Sequence, residues 1–121
     1  MSAPEIKHDN PMYQLLRDEK IEEFNQRKAT GEAVVLQHCD FRGLDLRDMD
    51  ASGIDFTGSY FRQADLRGID FSRSILRECS INGAKVSGVY FPPELMPEEI
   101  NMSISHGTRM RYRHLVVARK D

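Results

Sequence analysis

An all-β solenoid flanked by short helices is the fold this chain predicts, and three observations lead to it. Between Cys39 and Phe91 the sequence repeats every five residues. Each repeat carries two apolar or small positions two apart, followed by polar residues or glycine. Outside that stretch, helix start and stop signals bracket two short segments. A five-residue period fits neither a helix nor an ordinary strand. Two apolar positions two apart suit the inner face of a strand, and the polar pair after them suits a turn. Strand and turn repeated at constant length wind into a solenoid with the apolar pairs inside.

The central position of the eleven units reads Phe41, Leu46, Ala51, Phe56, Phe61, Leu66, Phe71, Leu76, Ile81, Val86 and Phe91. All but Ala51 are large and apolar, and these ten are the predicted core. The residue before the centre is Asp in six units: Asp40, Asp45, Asp50, Asp55, Asp65 and Asp70. Unit 59–63 lacks it, as does every unit after residue 73. Val34, Val35 and Leu36 form a degenerate opening unit.

The pattern closely resembles the pentapeptide-repeat family, whose signature is Ala-Asp/Asn-Leu/Phe-X-X. Ala64-Asp65-Leu66-Arg67-Gly68 matches outright, and Ile54-Asp55-Phe56 and Ile69-Asp70-Phe71 match with a larger first residue. The resemblance implies a short right-handed quadrilateral β-helix over residues 34–92, four pentapeptides per coil and about 2.5–3 coils in all. Residues twenty apart then stack: Phe41 under Phe61 and Ile81, Leu46 under Leu66 and Val86, Ala51 under Phe71 and Phe91, Phe56 under Leu76. Cys39 and Cys79 fall in one inward column, two coils and on the order of 9–10 Å apart, beyond disulfide reach. Both read as buried thiols with no metal role, since no histidines stand at zinc spacing.

A solenoid this short leaves two open ends, and the flanks supply covers for them. Residues 1–33 are the predicted N-terminal helical cap, with one helix or two within 11–29. Asn10 is a good N-cap, Pro11 suits the first turn, and Gly31 ends the segment. Residues 93–107 are the C-terminal cap: Pro97, Glu98 and Glu99 start a helix favourably and Gly107 stops it. Residues 108–121 read as a basic tail.

The formal net charge is −2, so the chain lacks the basic balance of a committed nucleic-acid binder. No apolar run reaches membrane-spanning length, and Met1–Lys7 contains no apolar signal core. The expectation is a cytoplasmic chain with reduced cysteines. His8, His38, His106 and His114 sit in the flanks at no motif spacing, and the carboxylates follow a structural period. No phosphate loop, zinc signature or nucleophile elbow is present. The expectation is no enzyme, no catalytic residue, no metal and no cofactor.

What remains is surface. Arg42 and Arg62 stack in one outward column and Arg47 and Arg67 in the next, with Tyr60 beside them. In the tail, Arg109, Arg111 and Arg113 lie on one side if the segment is extended. These eight residues are the candidate contacts for an unidentified protein partner, since arginine and tyrosine are enriched at binding hot spots. Two alternatives stand beside that reading. Some members of the family mimic DNA and bind type II topoisomerases, which the resemblance brings into view. That activity goes with a long acidic rod, whereas this repeat spans on the order of 13 Å and holds eight acidic and seven basic residues. The other alternative is nucleic-acid contact through the basic tail. Monomer and end-to-end homodimer both remain open, because solenoid ends invite self-association.

Overall fold

The computed structural model describes residues 3–113. Its organising feature is pairing at a spacing of twenty. Parallel bridges join Asp40 to Tyr60 and Tyr60 to Ser80, Asp45 to Asp65 and Asp65 to Lys85, Asp55 to Ile75, and Asp70 to Tyr90. Four five-residue units separate each pair, so the chain builds four columns, named here by their lowest centres: Leu36, Phe41, Leu46 and Ala51. The expected strands do not form among the described residues. Each column carries a single bridged residue per level, and a turn follows at once. That turn is closed by the N–H three residues past the centre, as in Leu44 N to Phe41 O (3.3 Å) and Ala64 N to Phe61 O (3.1 Å). A corner every fifth residue leaves no run long enough to make a strand ladder.

Most corners need a positive φ at the last residue of the unit, the conformation a type II turn requires at its third position. Gly58 shows why glycine is used where it can be. Its φ is 76° and an added Cβ would sit 2.3 Å from Nδ1 of His38, one level below. Asp48, Gln63 and Glu78 adopt the same conformation, Asp48 and Gln63 exposed and Glu78 half-buried.

The centres stack as the twenty-residue rule requires. Phe41, Phe56, Phe61 and Phe71 are buried and share ring contacts, with Phe41 and Phe61 stacked at 4.9 Å and 7°. Leu46, Leu66, Leu76 and Ile81 are likewise buried. Val86 and Phe91 are only half-buried, because no further level lies above them. A fully buried side chain of this size contributes about 1.5–3 kcal/mol. Cys39 and Cys79 are free, buried thiols. Ser59 between them donates to Leu36 O (2.9 Å) and accepts from Cys39 N (3.0 Å). Burial pushes the Cys39 thiol up to about 11 and the Cys79 thiol to about 12, so neither is a nucleophile at neutral pH.

Two helices close the lower end: α1 (Pro11–Arg17) and α2 (Ile21–Ala29). Asn10 caps α1 through Tyr13 N, and Pro11 opens it. Glu19 at φ 58° turns the chain between the helices. Met12, Tyr13, Leu15, Leu16 and Phe24 are buried beneath the aromatic core. Each column's lower edge finds a polar partner in this cap. Asn10 Nδ2 donates to Val35 O (2.7 Å), Tyr13 Oη to Asp40 O (2.6 Å), and Asp45 N to Glu19 Oε2 (2.7 Å). Asn25 takes the fourth column, accepting from Asp50 N and donating to Asp48 O. Glu5 adds a bridge under Cys39, a contact that residues 3–7 gave no sequence signal for. Unpaired strand edges are thereby removed at this end.

At the upper end, α3 (Pro97–His106) begins at Pro97 and stops at Gly107, whose φ is 77°. Ser103, buried within it, accepts from Ile81 N (2.9 Å). The chain then runs back across the Phe41 column. Met110 N donates to Cys79 O (2.8 Å), Glu78 N donates to Met110 O (2.7 Å), and Met110 is fully buried. Leu76 N donates to Tyr112 Oη (2.8 Å). Residues 108–113 are therefore the last layer of the core and not a free basic tail. The remainder of that predicted tail, residues 114–121, lies outside the described residues.

Candidate partner-binding surface

The aspartates before each centre have a local job. Each carboxylate accepts the backbone N–H two residues on, the geometry of an Asx turn. Where that residue is Ser or Thr, its hydroxyl or backbone joins in, as at Ser52, Thr57 and Ser72. Where it is arginine, the guanidinium folds back onto the same carboxylate: Arg42 to Asp40, Arg47 to Asp45, and Arg67 to Asp65, each at 2.7 Å. Arg47 also reaches Asp65 on the next level at 3.4 Å. Arginine two residues after the repeat aspartate is thus neutralised by its own unit.

These bonds set an acid sensitivity. The Arg67 hydrogen bond holds Asp65 down to about 2, and Arg47, Ser52 and Ser72 lower Asp45, Asp50 and Asp70. Burial raises the Asp40 carboxyl, but the Arg42 bonds outweigh it and the net direction is down. Folded values lie below that of an unfolded aspartate, about 3.9. The stabilisation is therefore complete above that value and is lost as pH falls from about 4 toward 2. Urea midpoints are expected to be flat from pH 7 to 5 and to drop between pH 4 and 2. A midpoint unchanged at pH 2.5 would show that these pairs contribute nothing.

The eight surface candidates separate into different environments. Arg42, Arg47 and Arg67 are exposed but ion-paired, as above. Tyr60, Arg62 and Arg109 do not form an open face. The Arg62 guanidinium lies 4.2 Å from the Tyr60 ring and Arg109 lies 4.9 Å from it. Arg62 donates to Ser80 Oγ and Gly107 O, and Arg109 donates to Tyr60 Oη (3.0 Å). The expectation of Arg62 on an open outward face is corrected: unit 59–63 has Tyr60 where six other units have Asp, so Arg62 stacks on it and anchors the returning chain. Arg111 pairs with Glu99 at 3.0 Å.

Arg113 goes elsewhere. It joins Arg73 and Arg77 around an open groove of about 680 Å³, lined also by Ser72, Ser74, Ile75, Glu94 and Tyr112. Among the described residues these three arginines form no ion pair and no side-chain hydrogen bond. Arg77 rests over the Tyr112 ring at 4.8 Å. Ile75 is 37% exposed on the groove wall. The hydroxyl of Ser74 is committed to Ala51 O (2.6 Å), so the guanidiniums are the groove's charged donors. A signal for Arg73 and Arg77 was present in the repeat. Ile75 replaces the aspartate that would neutralise Arg77, and Arg73 stands one position beyond the residue that Asp70 binds.

Residues 54–91 match the family model for pentapeptide repeats, in eight copies. The chain carries pentapeptide repeats. No curated protein and no solved structure matches it. Units Cys39–Gly53 precede the matched pentapeptide repeats, yet they join the same bridges and columns. Pentapeptide repeats suggest a non-enzymatic interaction module. Among the described residues no group of His, Cys, Asp and Glu could hold a metal ion, and no helix is long and apolar enough to cross a membrane.

Proposed function

We propose that this protein is a non-catalytic interaction scaffold that engages a partner protein through the Arg73–Arg77–Arg113 groove. Residues 34–92 are read as a right-handed quadrilateral β-helix of about 2.5–3 coils, with helical segments over its ends. The carrying observation is one of contrast. Arginines elsewhere on the described surface are tied to an aspartate, a glutamate or a backbone carbonyl, whereas this groove keeps three without such partners. Arginine on a rigid support is a favoured hot-spot residue. Duplex mimicry has less support, because three of the six repeat aspartates, Asp40, Asp45 and Asp65, are matched by arginines.

The test is capture from nuclease-treated host lysate by the intact chain and by Arg73→Glu/Arg77→Glu. A protein retained by the first and lost by the second is expected, with melting temperatures nearly equal because both residues are exposed. Equal capture by both would remove the groove from the function.

A further inference from the structure

The chemistry of the groove selects among partners. We propose that it takes an extended acidic segment of a protein, with carboxylates paired to Arg73, Arg77 and Arg113 and an apolar side chain laid over Ile75. This inference rests on the scaffold reading above and adds the class of ligand. Three features carry it. The first is charge: three arginines face one carboxylate, Glu94, within the lining. Guanidinium forks match carboxylates in two-point geometry and bind them more strongly than neutral acceptors. The second is the exposed Ile75, which gives the groove an apolar patch between cations. A chain of phosphates offers nothing to cover that patch. Acidic and apolar side chains two residues apart, on one face of an extended peptide, do.

The third is backbone. On lower levels the residue before the bridged one gives its carbonyl to the next level up: Ile54 O accepts from Ile75 N (3.0 Å) and Ala64 O from Lys85 N (3.0 Å). Ser74 holds the same position at the top of the Leu36 column. Its carbonyl accepts no hydrogen bond among the described residues. An incoming peptide N–H would extend the column by one rung, which is how extended peptides add to sheet edges. A DNA strand has no donor along its sugar-phosphate backbone, and an RNA strand offers only 2′-hydroxyls. One face of the Tyr112 ring is covered by Arg77 and is not open for base stacking.

The experiment is fluorescence anisotropy on the full chain with a labelled ten-residue peptide carrying Glu at every second position except the central one of them, which is Leu. Comparison probes are the Glu-to-Gln peptide, the same acidic peptide with Leu replaced by Ser, and a single-stranded oligonucleotide. Binding of the acidic peptide is expected, weakened by salt. Arg73→Gln/Arg77→Gln should lower its affinity by roughly tenfold or more. Arg42→Gln should leave it unchanged, since Arg42 is already paired with Asp40. Weaker binding of the Ser peptide would support the Ile75 contact. Absence of peptide binding, equal binding of the Gln peptide, or tighter binding of the oligonucleotide would overturn the inference. Should lysate capture still depend on Arg73 and Arg77 in that event, the scaffold reading would stand without the acidic ligand. Loss of that dependence would sink both.

Discussion

Phe61→Ala is expected to destabilise the fold by about 3–5 kcal/mol, the usual cost of truncating a buried phenylalanine. No residue is more central to the core. Phe61 is fully buried, stacks on Phe41 at 4.9 Å, and meets Phe56 and Phe71 edge to face at 5.3 and 5.9 Å. It therefore links three of the four columns. Neighbouring centres are fixed by the bridges and turns around them, so the space left by the ring cannot easily close, and cavity cost adds to lost burial. Urea unfolding at neutral pH measures the difference. A loss below about 1 kcal/mol would mean that the ring is not part of the core.

Deleting residues 108–121 is expected to cost several kcal/mol, more than Met110→Ala alone, for which about 2–5 kcal/mol is the normal range. Read from sequence, this stretch was a removable tail. In the structure it carries fully buried Met110, two backbone hydrogen bonds to Glu78 and Cys79, and the Tyr112 hydroxyl that receives Leu76 N. Its loss would expose the top of the aromatic core and leave Arg62 without Gly107 packed in place. The comparison is with a chain shortened only to Arg113, which keeps every contact named here. Equal unfolding midpoints for the two truncations would show that residues 108–113 are not a structural layer.

Much of this was legible because a repeat converts sequence position into spatial position. The period supplied the inward positions; the twenty-residue stacking of Phe41, Phe61 and Ile81 and the separation of Cys39 from Cys79 came from the four units per coil that the family resemblance implies. Asn10, Pro11, Pro97 and Gly107 carry helix-end chemistry that acts within a few residues, and each marks an observed helix boundary. The candidate surface was less legible. Arg113 was singled out, but Arg73 and Arg77 were passed over. Arg62 looked exposed because outward position was equated with solvent contact.

By itself the sequence determined the period, the identity of the inward residues and the helix boundaries at Pro11, Pro97 and Gly107, because all of these follow from local spacing and short-range hydrogen bonding. Only the tertiary structure decided that Arg113 joins Arg73 and Arg77 around one groove. Arg113 reaches Arg73 and Arg77 because Ser103 and Met110 dock the non-repeating chain onto the top of the columns. That path depends on long-range contacts between a helix and a core, and no local spacing encodes it.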